Sequence, residues 1–147
     1  MKVDDMDLDI IRHLWNGRKS YREIGKSLGI TTNTVRTRVS KMVEAGALQI
    51  IGLVEPKVIH GHTTASIAFK VEPGKADKIL DKISRLKGVV AVACVTGQFD
   101  IIADVLFNET HTYEKFIFEE IPKIDGIKSV ETSFIIKAIN RQLRYVL

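Results

Sequence analysis

The chain has 147 residues, 45% of them hydrophobic and 27% charged, enough to bury a core and stay in solution as one domain or two small ones. Its apolar runs are short, the longest lying near Gly88 to Val95, so no segment is expected to span a bilayer. The acidic start MKVDDMDLDI is unlike a signal peptide, and the lone Cys94 allows no internal disulfide; together these predict a cytoplasmic protein. The net charge of +4 is unevenly placed, with eight basic residues between Arg12 and Lys41 against a single acid, Glu23. That excess suggests a polyanion partner, although a charge run alone is more simply a solvated face.

A first helix is predicted over DDMDLDIIRHLWNGR. Leu8, Ile11, Leu14 and Trp15 recur at helical spacing, Asp4, Asp5 and Asp7 suit the positive end of the helix dipole, and Asn16-Gly17 ends it. Ser20 with Glu23 three residues on forms a capping box that opens a second helix, with Ile24 and Leu28 as its apolar stripe. Gly29 stops that helix, Ile30 turns inward, and Thr31 caps a third helix whose Val35, Val39 and Met42 share one side. Gly46 ends it. Three short helices with a tight turn before the third predict a helix-turn-helix, with Gly25 where helices 2 and 3 approach closely.

The rest of the third helix is polar. Asn33, Thr34, Arg36, Thr37, Arg38 and Lys41 are the donors and cations that contact bases and phosphates. With Thr31 and Thr32 at its start, and Ser20, Tyr21 and Arg22 at the start of the second helix, they are the expected contacts to double-stranded DNA. Arg38 adjoins the core-facing Val39, so a structural role for it stays open. The bland alternative is a three-helix bundle with a hydrophilic surface.

A strand is expected across residues 48–54, ended by Pro56. The second half changes grammar. TTASIAFKV alternates as a strand does; GKADKILDKISRLKG is a helix with Ala76, Ile79, Leu80, Ile83 and Leu86 inward; VVAVACV reads as a buried strand that includes Cys94. FDIIADVLF alternates Phe99, Ile101, Ala103, Val105 and Phe107. TYEKFIFEEI is a helix with Tyr113, Phe116, Ile117 and Ile121 on one face, and IKSVETSFIIKAI is a last strand. ISRLKGV and IPKIDGI repeat one pattern of helix end, glycine and strand start. The order β-α-β-β-α-β predicts a ferredoxin-like sheet with both helices on one face. Ser66, Ala68, Ile102, Leu106 and Ile135 are assigned to its bare face, where a second copy of the chain is the expected cover.

The fold class is therefore α+β: a helix-turn-helix, winged-helix-like domain over residues 1–52, a linker over 53–62, and a ferredoxin-like domain over 63–147. Enzyme chemistry is thin. His60 and His62 read as a linker pair rather than metal ligands, and His13 and Trp15 as packing groups. There is no phosphate loop and no Ser-His-Asp or Cys-His set, so no cofactor, metal or catalysis is expected. A small-molecule-binding regulatory subunit of ferredoxin-like fold, without specific DNA binding, is the rival reading. An RNA-binding domain would need paired surface aromatics that the sheet lacks.

The whole chain resembles the Lrp/AsnC family of prokaryotic regulators. The stretch NGRKSYREIGKSLGITTNTVRTRVSKMVEAGAL carries the N-terminal likeness, and TGQFDI with VETSF the C-terminal one. Gly25 stands where alanine is commoner, Ala47-Leu48 replaces a Val-Ile pair, and GQFD departs from the more usual turn. The resemblance implies a transcriptional regulator that dimerises through its C-terminal sheets, often builds octamers, and binds pseudo-palindromic DNA. It also implies an amino-acid effector in a cleft between dimers, lined by Gly97, Gln98, Phe99 and Asp100 and by Thr132, Ser133 and Phe134. There the turn amides would meet a carboxylate and Asp100 an ammonium group. An ordinary hairpin turn would also place Gly and Asp at this point.

Overall fold

Asp4 opens α1 (Asp5–Leu14) with a reciprocal capping box: its Oδ1 accepts from the Asp7 N–H at 2.8 Å, while Asp7 Oδ2 accepts from the Asp4 N–H at 3.1 Å. The inward stripe of α1 is not the expected one. Ile10 is fully buried and Met6, Ile11 and Leu14 pack beside it, whereas Leu8 is exposed and Trp15 is 86% exposed. Asp7 is the cause: at 2% exposure it occupies the inner face, held by Arg38, and this rotation turns Trp15 outward. Trp15 is therefore not a packing group. His13 bonds Lys19 through Nδ1 at 2.8 Å.

The computed structural model describes residues 2–15, 17–139, 141, 143, 144, 146 and 147, with the Lys57 side chain left aside. The helix end predicted at Asn16 lies outside the described residues. Two units form, Met1–Ile51 and Gly52–Leu147.

In the first unit, Ser20 caps α2 (Tyr21–Leu28) through the predicted box with Glu23. Gly29 ends it in the left-handed region at φ 69°, a conformation that favours glycine. A side chain at Gly25 would put its Cβ 2.7 Å from the Ile30 carbonyl oxygen, so the turn into α3 can fold this closely only over glycine. Thr31 then caps α3 (Thr32–Glu44). Ile10, Ile24, Val35, Val39 and Met42 make the core. The expected strand over 48–54 shrinks to β1 (Leu53–Val54), which belongs to the second unit and pairs with β6 (Leu143–Arg144).

The second unit holds β2 (Thr63–Val71), α4 (Ala76–Ser84), β3 (Val89–Cys94), β4 (Ile101–Phe107) and β5 (Ile127–Phe134). Between β4 and β5 runs α5, a short α-helix (Tyr113–Lys115) continued by a π turn (Phe116–Glu120) and a 3-10 turn (Ile121–Lys123). The sheet is antiparallel throughout, ordered β3-β4-β2-β5, as the β-α-β-β-α-β reading requires. Ile67, Phe69, Ile79, Ile83, Ile101, Val105, Phe116 and Ile121 are among its core residues.

Three details of the sheet correct the sequence reading. First, β3 is an edge strand, so Ala91, Ala93 and Cys94 are exposed and Cys94 is not a core residue. Second, Leu106 sits on the face away from α4 and α5 yet is fully buried. The chain after β5 returns over that end of the face. The Ile135 N–H donates to the Thr64 carbonyl at 2.9 Å, and Arg141 pairs with Asp104 at 2.6 Å. Third, β5 stops at Phe134 rather than running through residue 139.

Candidate DNA interface and effector site

One turn of the helix separates each of Asn33, Thr37 and Lys41 from the next, so all three lie along one side of α3; all are exposed, as is Arg36 on the neighbouring flank. Val35, Val39 and Met42 hold the opposite side in the core. The side of α3 that carries Asn33, Thr34, Thr37, Arg38 and Lys41 lines a cavity of about 480 Å³ shared with Lys2, Asp4 and Asp7. Lys2 was missed by sequence reasoning, because only the docking of the start of α1 brings it to α3.

Several of the other residues predicted to meet DNA have partners of their own. The Ser20 hydroxyl donates to Glu23 Oε2 at 2.7 Å and accepts from the Glu23 N–H at 3.2 Å, and the Ser20 N–H and hydroxyl hold the Glu23 carboxyl below its usual range. Thr31 Oγ1 accepts from the Thr34 N–H at 3.1 Å and meets the Thr34 hydroxyl at 2.8 Å. Tyr21 packs against the core, Thr32 is half-buried and Arg22 is exposed. Arg38 Nη1 donates to Asp4 Oδ2 at 2.7 Å and to Asp7 Oδ1 at 2.8 Å. The hydrogen bond from Arg38, with that from the Asp7 N–H, holds the Asp4 carboxyl below the usual range.

In the second unit, the turn after β3 carries Gly97 to Asp100. Asp100 accepts from the Val71 N–H at 2.8 Å and from Lys70 Nζ at 3.0 Å, and these two bonds, the backbone one first, lower its pKa. Gln98 and Phe99 share a cavity of about 390 Å³ with Lys70, Ser129, Val130 and Glu131. Register explains that grouping: Phe69 pairs with Val130, and its carbonyl accepts from the Asp100 N–H. Thr132, Ser133 and Phe134 pair with Ile67, Ser66 and Ala65, and four residues of strand from Phe69 to Ala65 span about 13 Å. A single chain therefore holds Phe134 apart from the turn, while Thr132 and Ser133 follow Glu131 in the strand without lining its cavity. Alternation also splits the second half. Thr132 accepts from the Tyr113 hydroxyl at 3.3 Å and Phe134 packs edge-on to the Tyr113 ring, on the helix side. Ser133 lies opposite Ser66 on the other face.

His60 and His62 line a separate cavity with Gly61, Asn108, Glu109 and Thr110. Among the described residues no three His, Cys, Asp or Glu side chains are placed to hold a metal ion, and no helix is long and apolar enough to cross a membrane.

A capped helix-turn-helix with a polar, cationic third helix, followed by a ferredoxin-like sheet domain, defines the class: a DNA-binding transcriptional regulator with an appended ligand domain. Comparison with known proteins agrees. Residues 3–43 match the AsnC-type helix-turn-helix domain and residues 64–144 the Lrp/AsnC ligand binding domain. The chain belongs to the Lrp/AsnC family. An uncharacterised HTH-type transcriptional regulator of Pyrococcus horikoshii is 34% identical, covering 92% of this chain and 87% of its own. One from Pyrococcus furiosus is 36% identical, covering 90% and 91%. The structure of E. coli AsnC superposes with a TM-score of 0.74 at 26% identity, over 96% of this chain and 97% of that one. A Neisseria meningitidis regulator solved with L-Met shares the fold at 19% identity and a TM-score of 0.75, over 96% and 94%.

Proposed function

We propose that α3 lies in the major groove of double-stranded DNA, with Asn33, Arg36, Thr37 and Lys41 as its contacts. Arg22 and Lys2 reach phosphates beside it. The observation that carries this reading is the division of α3 into a buried apolar side and an exposed row of amide, hydroxyl and cationic groups. Ser20, Thr31 and Thr34 serve the helix caps, and what they offer DNA is backbone N–H groups at helix starts. The protein acts by binding and not by catalysis, in the cytoplasm.

The regulator works as a dimer or higher oligomer. The sheet face away from the helices exposes Ile102, and the segment that follows β5 exposes Ile136 and Ile139 at 91% and 81%. A second copy removes these from water and pairs two helix-turn-helix units, which favours half-sites about one helical turn apart. Assembly also supplies what one chain lacks, a neighbour that closes the effector site around the Gly97–Asp100 turn and the Thr132–Phe134 segment.

The effector is an amino acid. Lys70 and Glu131 place opposite charges on one cavity beside the turn, which suits a zwitterion. Asp100 then braces the turn through Val71 and Lys70, and Glu131 takes the ammonium group. Selection of bound DNA from a random pool, with and without each common amino acid, tests both halves. The expected result is a pseudo-palindromic site whose occupancy one amino acid changes, with calorimetric heat for that amino acid lost in Glu131→Gln. No heat for any of them and an unchanged footprint would reduce the turn to a hairpin turn. No enriched sequence would favour a regulatory subunit without specific DNA binding.

A further inference from the structure

Arg36 and Arg38 stand two residues apart on α3 and look alike in the sequence, but their surroundings differ. Arg36 is exposed and makes no ion pair among the described residues. Arg38 is two-thirds covered and faces the start of α1. There Asp4 and Asp7 divide their oxygens in a particular way. Asp4 uses Oδ1 for the cap and Oδ2 for Arg38; Asp7 uses Oδ2 for the cap and Oδ1 for Arg38. All four carboxylate oxygens are committed, and Asp7 is 2% exposed. A carboxylate at that depth is costly without a charge partner, and Arg38 is the partner it has. Arg38 cannot turn to a phosphate without leaving it unpaired.

We infer that Arg38 is a positioning residue rather than a DNA contact: it latches the capping box of α1 onto the side of α3 and so fixes the shape of the DNA-facing cavity. The latch also offsets part of the charge of two carboxylates that would otherwise face a polyanion from the edge of the recognition helix. One guanidinium thus does for geometry and for charge what neither Asp4 nor Asp7 could tolerate losing. Lys2, two residues before Asp4, lines the same cavity.

The test is Asp4→Asn, measured in the full chain by DNA affinity at fixed salt. Asparagine is as good an N-cap as aspartate, so α1 still starts, but the charge partner of Arg38 is halved. Removing an acid near DNA should by plain electrostatics tighten binding. The latch requires the reverse, a loss of at least about five-fold, with faster amide exchange in the first turn of α1. A double-mutant cycle with Arg38→Ala completes it: the loss from Asp4→Asn should vanish once Arg38 is gone, because the latch is already open. Binding by Asp4→Asn as tight as the parent, or tighter, overturns the inference. So does a penalty of the same size in both backgrounds. Should Arg38→Ala fail to fold, the sign of the Asp4→Asn effect still decides.

Discussion

The helical unit and the sheet unit reach their candidate sites by opposite routes. In the first, Asn33, Arg36, Thr37 and Lys41 lie on one helix, so their spacing in the chain is their spacing in space. In the second, the turn at Gly97–Asp100 meets Ser129, Val130 and Glu131 because β2 pairs with both β4 and β5 in one particular register. Shifting that register by two residues would present a different set. A helix-borne site is therefore local to one stretch of chain; a sheet-borne site is assembled by pairing, and the one proposed here draws on a neighbour as well.

The comparison can be broken most forcefully at the cores. Phe69 is fully buried in the larger core, at the register point that sets the proposed effector cavity. Phe69→Ala should cost about 3–5 kcal/mol, seen as loss of amide protection across the sheet unit. The helical unit, a separate compact body with its own core, should keep its protection. Equal loss in both would show that the two fold as one.

Arg36→Ala comes next. A base-reading arginine contributes about 1–3 kcal/mol of discrimination, so specific DNA affinity should fall with no change in thermal midpoint. If Arg36 instead contacts a phosphate, the slope of log affinity against log salt should drop by about 0.9. Full affinity and specificity would move the interface off this flank of α3.

Acid separates the units more gently. His111 is buried beside Phe107 and Phe116, and burial lowers its pKa despite the Glu120 carboxylate 3.8 Å away. Lys87 and Lys115 add to that lowering, while the Lys87 backbone opposes it. A histidine with a lowered folded pKa is neutral in the fold while the unfolded chain takes a proton, so stability falls as pH drops below about 6.5. In the helical unit the shifted carboxylates are Asp4 and Glu23, both lowered; their contribution holds above the usual carboxylate range and fades only below about pH 4. Amide exchange followed from pH 7 to 5 should therefore rise in the sheet unit first, and His111→Gln should flatten that response.

The smallest effect should come from the largest side chain. Trp15 is 86% exposed, so Trp15→Ala should change stability by no more than about 0.5 kcal/mol. A loss of several kcal/mol would restore it to the packing role that its spacing in the sequence suggests.

Much of this molecule was legible without coordinates because it rests on local rules. The Ser20–Glu23 box, the Thr31 cap, the Gly29 turn and the inward row Val35, Val39 and Met42 follow from short-range chemistry and the helical period. The β-α-β-β-α-β order follows from alternation and the repeated helix-glycine-strand pattern. What required the tertiary structure were facts decided by distant partners. Asp7 went inside because Arg38, thirty-one residues later, met its charge; that pairing rotated α1 and put Trp15 outside. Cys94 came to the surface because β3 is an edge strand, and Leu106 was buried because the chain beyond β5 turns back over it. Asp100 was occupied by Lys70 and Val71 because register set them side by side. Hydrophobic pattern says that a side chain needs cover, and charge says that it needs a partner; which cover and which partner are settled only when the elements pack.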